Sequence, residues 1–456
     1  MGSTGSETRP GRGAGPGVSS DLDRVREVAV RDKEARFTAL LHHVTQARLW
    51  AAFASLREDA APGTDGVRWH EYAQDLRANV EDLHGRVQSG KFRASPVRRV
   101  HIPKPDGRTR PLGIASLEDK IVQRALADVL NAVYEADFLG FSYGFRPGRK
   151  PHDALDALAA GIYQRKVSWV LDADIRDFFG SLDRDWLERF LRHRIADERV
   201  LRLIGKWLAA GVIEDGKLSQ MQGAPQGASL SPLLANVYLH HVLDLWAEWW
   251  RRHHARGDVI IVRFADDFVA GFQYRDDAEA FLAALRERFA RFSLELHPDK
   301  TRLIEFGRYA AARRKARGEP KPETFRFLGF THICGTTRKG RFWIRRVTDS
   351  KRLRAKLAEV RTGLMRRRHL PIPEQGRWLA SVITGHLNYY AVPGNGKALN
   401  TFRNQAVRHW RRALRRRSQR NRLTWDRMGR LARRWIPPAT IRHPHPERRF
   451  AASHPW

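Results

Sequence analysis

Cysteine is almost absent from this 456-residue chain, which contains a single one, Cys334. One cysteine excludes a disulfide within the chain and any zinc site built from several thiolates. Apolar runs long enough to span a membrane are also missing, and the N-terminus lacks the apolar core of a signal peptide. From these absences we expect a protein of the reducing cytoplasm, without a membrane partner.

Acidic residues are scarce relative to basic ones. The chain has 50 Asp plus Glu against 83 Lys plus Arg, which gives a formal net charge of +33. Because such an excess repels itself in a compact chain, a polyanion is expected to neutralise it, and nucleic acid fits best. Hydrophobic residues make up 42%, which at this length allows a large core and two or three domains.

The most informative segment spans residues 259–272, where two apolar, β-branched runs flank a pair of carboxylates, Asp266 and Asp267. The runs predict two buried strands, and the acids lie where the chain turns between them. An Asp-Asp turn alone is most often a solvated turn. Between buried strands, however, carboxylates lose hydration and repel one another, so this setting favours a bound hard cation, above all Mg²⁺.

A second acidic strand is predicted upstream, at 169–175, and ends in Asp174 and Ile175. Nucleotidyl transfer with two metal ions needs carboxylates from separate strands, which converge on ions roughly 3.5–4 Å apart. A strand ending in Asp174 beside a hairpin that carries Asp266 and Asp267 would supply them. Asp172 points to the same side of the strand as Asp174, so the alternation of side chains does not distinguish these two acids.

Four segments together resemble the palm motifs of reverse transcriptases, in the same order. They are DADIRDFF (172–179), GAPQGASLSPLLANVYL (223–239), VRFADDFV (262–269) and LELHPDKTRLIEFG (294–307). The sequence around them is similar to the bacterial group II intron type, from about residue 63 to the basic C-terminus. The resemblance implies an α+β right-hand polymerase fold. Fingers and a palm with an antiparallel sheet would precede an α-helical thumb, the maturase X domain.

We therefore predict five regions along the chain. They are a disordered N-terminus (1–21), an N-terminal helical extension (22–97), fingers and palm (98–346), a thumb or X domain (347–416) and a basic nucleic-acid-binding region (417–456). Periodicity also predicts individual elements: a helical stretch at 22–56, a long helix at 230–253, strands at 294–296 and 303–306, a mobile basic loop at 308–322, and thumb helices at 351–367, 373–390 and 398–416.

The resemblance assigns roles around the acids. Asp174, Asp266 and Asp267 would be the catalytic ligands of two Mg²⁺ ions, with Mn²⁺ as a substitute, and Ile175 would offer one ion its backbone carbonyl. Asp177 is expected to be a surface or salt-bridged residue. The residues expected to contact the incoming nucleotide or its template are Lys104, Arg110, Phe179, Gln226 and Lys300.

Two of these nucleotide contacts carry specific expectations. The family places a bulky aromatic beneath the deoxyribose, where it excludes a 2′-hydroxyl, and this role falls on Phe179, whereas Phe178 is expected to be a core residue. Lys300 would lie near the phosphates as an electrostatic stabiliser or a proton donor. By composition alone, Lys300 would be an exposed lysine at a strand end.

Between residues 402 and 435 the chain has thirteen arginines and one acid, Asp426. Solvated helix faces usually carry charges of both signs, so this bias indicates contact with a nucleic-acid backbone. Trp410 and Trp425 lie among these arginines, either as core residues of a bundle or as stacking partners for bases. The arginines expected to contact nucleic acid are Arg403, Arg408, Arg411, Arg412, Arg415 and Arg416.

The resemblance implies an RNA-directed DNA polymerase that also acts as a maturase for a group II intron. Its expected partners are a structured intron RNA, an RNA template with a DNA primer, dNTPs and a DNA target. Phe264, Ala228 and Gly180 stand where Tyr, Gly and Asp are more frequent, and no Cys- or His-paired nuclease module follows the tail. Two alternatives stay open: a domesticated enzyme of DNA repair or phage defence, and an RNA-binding maturase with a vestigial polymerase.

Overall fold

The N-terminal part of the chain is helical. The computed structural model describes residues 20–103, 109–220, 223–337, 339–417 and 423–453. Of the predicted disordered N-terminus (1–21), residues 1–19 lie outside the described residues, whereas Ser20 and Asp21 are wrongly included, because they begin α1. The first elements are α1 (Ser20–Arg31), a 3-10 turn (Leu41–His43), α2 (Gln46–Ser55), α3 (Trp69–Tyr72) and α4 (Leu76–Gln88).

The single helical stretch predicted for 22–56 is wrong, because the chain leaves α1 at Arg31 and re-enters a helix at Gln46. Between them, the backbone N–H groups of Leu40 and Leu41 donate to the Asp197 carboxylate at 2.8 and 2.9 Å. This long-range carboxylate takes the place of the helical hydrogen bonds. A pattern of apolar spacing cannot reveal such a partner, which is more than 150 positions away in the sequence.

The middle of the chain alternates strands and helices, which confirms the α+β class. Its elements are β1 (Val97–Pro103), β2 (Thr109–Ile114), α5 (Leu117–Tyr134), α6 (Pro151–Gln164), β3 (Trp169–Asp174), α7 (Phe178–Ser181), α8 (Arg184–Arg192), α9 (Glu198–Ala209), β4 (Val212–Glu214) and β5 (Lys217–Ser219). Four of these strands form a sheet in the order β2-β1-β4-β5, which we call the outer sheet.

The next part contains the motif-bearing strands. It comprises α10 (Ser231–Leu239), a π-helical turn (His240–Asp244), α11 (Leu245–His253), β6 (Val259–Phe264), β7 (Asp267–Phe272), α12 (Arg275–Arg291), β8 (Arg302–Glu305), α13 (Ala310–Ala316), β9 (Phe325–Phe327), β10 (Phe330–Thr336) and β11 (Phe342–Thr348). The strand order β6-β7-β3-β8 defines an antiparallel sheet, which we call the central sheet.

Three predictions for this part need correction. The helix predicted at 230–253 is interrupted by the π-helical turn. Among the described residues, 294–296 form no strand, and only Leu296 makes a bridge, to Ile175. The loop predicted at 308–322 contains α13, and the Arg317 side chain that follows it forms ion pairs with Glu305 and Glu319.

The central sheet is buried on both faces, which explains why its strands are almost continuously apolar. On β7, Phe268 and Phe272 pack into the core that contains α10 and α12. Val269, which points the other way, packs with residues of α6 and of the β9-β10-β11 sheet. Core residues thus enclose both faces of the central sheet, and the acids lie at one end of β3 and β7.

The C-terminal part is a helical bundle with its own core, and the three helices predicted there are present. Its helices are α14 (Ser350–Arg366), α15 (Ile372–Tyr390), α16 (Gly396–Arg415) and α17 (Trp425–Trp435), which we call the C-terminal bundle, and they are followed by α18 (Pro446–Ser453). Leu364, Ile383, Leu387 and Trp410 are fully buried in it. None of the described helices combines the length and apolar content that a membrane-spanning segment needs.

Candidate active site

The structure brings the three predicted acids to one end of the central sheet. Asp174 is the last residue of β3 and lies opposite Asp267, the first residue of β7, in antiparallel register. Asp266 precedes β7 in a tight turn from β6, and Ala265 before it adopts a left-handed backbone with φ of 58°. Asp174 and Asp267 thus come from separate strands, as the sequence predicted.

Burial and the charges of neighbouring carboxylates shift the pKa values of Asp266 and Asp267 upwards. Burial raises the pKa of Asp267 to about 7, and the charges of Asp266 and Asp174 add to the effect. Burial also raises the pKa of Asp266, to which the charge of Asp174 contributes. Oxygen donors that destabilise one another's charge fit a hard divalent cation. Within the described part of the chain, no three His, Cys, Asp or Glu side chains stand close enough to form a preassembled metal cluster.

Lys300 supplies the positive charge nearest to these acids. Its ammonium forms an ion pair with the Asp174 carboxylate, although the lysine side chain is half exposed. The preceding turn is attached to the same strand end, because the His297 N–H donates to the Asp174 carbonyl at 2.8 Å. The positive charge of Lys300 therefore compensates the negative charge of Asp174 directly.

The two acids nearest to Asp174 in the sequence, Asp172 and Asp177, differ from it in their surroundings. The Asp172 carboxylate lies 3.7 Å from the Arg302 guanidinium, and burial raises the pKa of Asp172 to about 6. Asp177 is exposed, as predicted for a surface residue. Its carboxylate also accounts for Gly180, where an acid is more frequent, because a Cβ on Gly180 would lie 2.4 Å from Asp177 Oδ2.

The two adjacent phenylalanines face different surroundings. Phe178 is 2% exposed and belongs to the main core, which confirms the prediction, whereas Phe179 is only partly buried. The Phe179 carbonyl accepts a hydrogen bond from the Ala224 N–H at 2.9 Å. A Cβ at Gly223 would lie 1.9 Å from that carbonyl oxygen, so only glycine allows this close approach.

The loop that carries Gln226 joins this strand end to the outer sheet. The Gly113 N–H of β2 donates to the Gln226 carbonyl at 2.7 Å. The side-chain oxygen of Gln226 is buried and has no hydrogen-bond partner among the described residues. Because an unpaired buried oxygen is costly, this atom is suited to receive a donor from a ligand.

A cleft of about 1400 Å³ opens beside the acids and separates them from the C-terminal bundle. Arg110 and Asp267 both line it. The charge of Arg110 offsets part of the rise that burial causes in the pKa of Asp266. Lys104, the other predicted basic contact, lies outside the described residues. The opposite wall is basic and aromatic, and it includes Lys351, Arg352, Arg354, Lys356, Tyr389 and Tyr390.

The predicted nucleic-acid contacts on α16 divide into two groups. Arg403 and Arg411 are half-buried and donate to the carbonyls of Pro437 and Leu423 at 3.0 and 3.1 Å. The Arg411 guanidinium also stacks on Trp425, 4.3 Å from its ring centre. Each of these two arginines therefore uses its Nε–H within the bundle, and their contact with nucleic acid stays a prediction. The arginines that remain exposed are Arg408, Arg412, Arg415 and Arg416.

The two tryptophans also differ. Trp410 is fully buried, and its indole N–H donates to Gln375 Oε1 at 3.0 Å, so it is a core residue of the bundle. Trp425 is 52% exposed. An aromatic face next to arginines remains accessible there, as nucleic-acid stacking would require.

Sequence reasoning missed one residue of the site, Arg263. This arginine lies inside β6, is fully buried and forms an ion pair with Asp244, which is buried too. The signal was a single guanidinium in an otherwise apolar strand, three positions before Asp266. A charge in such a place requires a buried partner.

Comparison with known proteins places this geometry in context. The family model described as reverse transcriptase (RNA-dependent DNA polymerase) matches residues 102–332, just over half of the chain. Protein YkfC of Escherichia coli K12 is 32% identical over an alignment of 316 residues, and the match covers 60% of this chain and 81% of that protein. The group II intron-encoded protein LtrA of Lactococcus lactis is 30% identical over 224 residues, or 48% of this chain and 37% of LtrA.

A plant protein extends this comparison. Nuclear intron maturase 3, a mitochondrial protein of Arabidopsis thaliana, is 28% identical over 166 residues, which are 36% of this chain and 22% of its own length. The match thus spans most of YkfC but less than half of the two proteins whose names refer to introns.

Proposed function

This chain belongs to the reverse transcriptase family, in its group II intron-encoded type, and we propose that it synthesises DNA on an RNA template at Asp174, Asp266 and Asp267. The observation that carries this assignment is the register that sets Asp174 opposite Asp267, with Asp266 in the adjoining turn. Carboxylates on separate strands at one sheet end are what metal-assisted nucleotidyl transfer requires.

The three carboxylates and the carbonyl of Ile175 would hold divalent metal ions, and the donor set suits two Mg²⁺ ions, with Mn²⁺ as a substitute. When bound, such ions lower the pKa of the primer 3′-hydroxyl and neutralise the triphosphate. Lys300 neutralises Asp174 in the free protein. Its half-exposed ammonium can turn towards the phosphates once a nucleotide binds.

Other residues of the chain orient the nucleotide. Phe179 would lie beneath the deoxyribose, supported by its carbonyl contact with the 223–229 loop. The unpaired side-chain oxygen of Gln226 would accept a hydrogen bond from the nucleotide or template. Arg110, on the cleft wall beside the acids, would contact the triphosphate, and Lys104 is proposed for the same role from the sequence alone.

These roles correspond to a right-hand arrangement with fingers and palm at 98–346. The outer sheet would form the fingers and the central sheet the palm, after an N-terminal extension at 22–97. The C-terminal bundle would form the thumb or X domain, at 347–416, and 417–456 would be the basic nucleic-acid-binding region. The basic cleft between the central sheet and α14 would hold the RNA template and DNA primer, with dNTPs entering beside Arg110.

The enzyme would also act as a maturase that binds a structured group II intron RNA and its DNA target, in a bacterial cytoplasm or nucleoid. The names of its relatives and the +33 charge support this role. Four exposed arginines on α16 and at its C-terminal cap offer phosphate contacts outside the cleft. None of these relatives favours the alternatives, a domesticated repair or defence enzyme or a vestigial polymerase.

The experiment that tests the assignment is Asp266→Asn, which removes a charge but little volume. We expect DNA synthesis on an RNA template to be abolished, while folding and RNA affinity stay nearly unchanged. Primer extension with Mg²⁺ is measured beside RNA binding, with Asp177→Asn, an exposed acid outside the cluster, as the matched control. Near-normal extension by Asp266→Asn would show that the reaction takes place elsewhere.

A further inference from the structure

Arg263 is the least expected side chain of the central sheet. It lies three positions before Asp266 in β6, and its side chain is 0% exposed, as is that of Asp244, its ion-pair partner. Arg263 Nε donates to Asp244 Oδ1 at 2.7 Å, and Nη2 donates to Oδ2 at 2.5 Å. A buried guanidinium is destabilising unless its charge and its N–H groups are all satisfied, and this bidentate pairing meets most of that demand.

The remaining N–H groups of Arg263 connect it to the catalytic turn. Nη1 donates to the carbonyl of Ala265 at 3.0 Å and to Asn236 Oδ1 at 3.0 Å. Nη2 also donates to Ser142 Oγ at 2.7 Å. The Ala265 carbonyl belongs to the peptide that leads into Asp266, so one guanidinium fixes the peptide plane directly before the acid pair.

Ala265 needs such support because its backbone is strained. Its φ of 58° lies in the left-handed region, which residues with a Cβ rarely adopt. Gly144 packs against the same turn so closely that a Cβ there would lie 2.2 Å from the Ala265 nitrogen. The Asn236 amide donates to the Gly144 carbonyl at 2.8 Å, so the side chain that binds Arg263 also holds this neighbouring loop.

The other partner of Arg263 comes from an irregular part of a helix. Asp244 is the last residue of the π-helical turn His240–Asp244, which separates α10 from α11. A π-helical turn contains an extra residue. Such turns are rare in proteins, and those that occur are often found at functional sites. Here it places the fully buried Asp244 carboxylate against Arg263 of β6, the strand that leads into the catalytic turn.

We propose that Arg263, held by Asp244, is a positioning residue that fixes the Ala265–Asp266 peptide and thereby the direction of the Asp266 and Asp267 carboxylates. The inference rests on the proposed function, which places the reaction at these acids. It goes beyond a stabilising ion pair, because it predicts an effect on the chemical step although the described contacts of Arg263 include none of the three catalytic carboxylates.

The test compares two buried arginines. Arg346, on β11, is 2% exposed and pairs at 2.9 Å with Asp156, which is 1% exposed, but none of its described contacts involves the acids. Arg263→Lys and Arg346→Lys are each measured for kcat, KM for dNTP, Tm and Mn²⁺ affinity by electron paramagnetic resonance. The last measurement requires no turnover.

We expect both variants to lose thermal stability, and only Arg263→Lys to lose kcat. Its kcat should fall by about tenfold or more with KM for dNTP little changed, because a small misplacement of reacting groups has large kinetic effects. Its Mn²⁺ affinity should fall as well. An equal loss of kcat in Arg346→Lys, or an unchanged kcat in Arg263→Lys, would overturn the inference.

Milder variants decide the question if Arg263→Lys does not fold. Ser142→Ala removes one hydrogen bond to Nη2, and Asp244→Asn removes the charge of the partner while keeping its shape. Both should lower kcat more than their loss of Tm predicts from the Arg346→Lys control, and a normal kcat in both refutes the role. Asp266→Asn separates the two proposals: if it is inactive while these variants are fully active, only the positioning role fails.

Discussion

The central sheet and the C-terminal bundle handle charge in opposite ways. The sheet pairs its charges one by one, as in the buried pair Arg263–Asp244 and in the ion pair of Asp174 with the half-exposed Lys300. The bundle leaves many charges of one sign in solvent, as on the exposed face of α16. We therefore expect function to depend on the identity and place of single side chains in the sheet, and on the sum of charges in the bundle.

The largest change in nucleotide selectivity is expected at Phe179. Phe179→Val should admit ribonucleotides, because the smaller side chain leaves room for a 2′-hydroxyl while keeping an apolar contact. We expect the preference for dNTP over rNTP to fall by roughly 10–100-fold. The measurement is the ratio of kcat/KM for the two nucleotides on an RNA template.

The adjacent residue is the control for this prediction. Phe178 is 2% exposed, so Phe178→Val should destabilise the fold by about 1–3 kcal/mol and leave sugar discrimination almost unchanged. Melting temperatures are recorded for both variants. If Phe178→Val relaxes discrimination and Phe179→Val does not, the two roles are exchanged and the proposed geometry under the nucleotide is wrong.

The same contrast explains how much the sequence could predict. Asp266 and Asp267 were predicted from acids between two apolar strands, the resemblance selected Asp174, and the strand register brings all three to one end of the sheet. Asp172 and Asp174 could not be separated by alternation, since the difference between them lies in Arg302 and Lys300 on another segment. Ion pairs between distant segments produce no periodic pattern in the sequence, so they cannot be predicted from it.

Irregular elements were missed for the same reason. Within the π-helical turn that places Asp244, Val242 and Leu243 continue the apolar spacing of the helices on either side, so the pattern predicted one long helix. The β10–β11 hairpin mixes polar and apolar residues, and its strands become evident only when they pair. On α16, arginine content predicted contact with nucleic acid, but only the fold shows that Arg403 and Arg411 are engaged within the bundle.

The next prediction concerns the summed charge of the bundle. Replacing the four exposed arginines of α16 and its C-terminal cap, Arg408, Arg412, Arg415 and Arg416, by Gln should weaken RNA binding and reduce its dependence on salt. Each contact with single-stranded RNA contributes a slope of about 0.7 in log K against log salt, so the slope should fall by up to about 3. Filter binding over a range of salt concentrations measures it.

A matched set tests whether place matters as well as charge. Arg77, Arg189, Arg199 and Arg202 are also exposed, but they lie on α4, α8 and α9. Changing them to Gln removes the same net charge and should leave most of the slope intact. Equal losses in both sets would mean that RNA responds to overall charge rather than to α16.

The smallest expected effect is the pH dependence of folding stability, to which buried titratable groups should contribute and solvated arginines should not. His332 is buried against Phe325, with ring centres 4.6 Å apart, and burial lowers the pKa of His332 to about 3. In the unfolded chain a histidine has a pKa near 6.5. The unfolded state therefore binds more protons than the folded state between about pH 6.5 and pH 3, so His332 lowers stability as the pH falls through that range.

His332→Phe removes this proton site and keeps a stacked ring, so the variant should lose less Tm than the original protein between pH 7 and pH 5. Burial also lowers the pKa of His240 and His241, to about 3 in each case, so part of the acid sensitivity should remain. His253→Phe, at an exposed histidine of α11, is the control and should leave the difference in Tm between the two pH values unchanged. If His332→Phe and His253→Phe behave alike, the acid sensitivity comes from groups outside this stack, and the contrast between buried and solvated charge does not extend to His332.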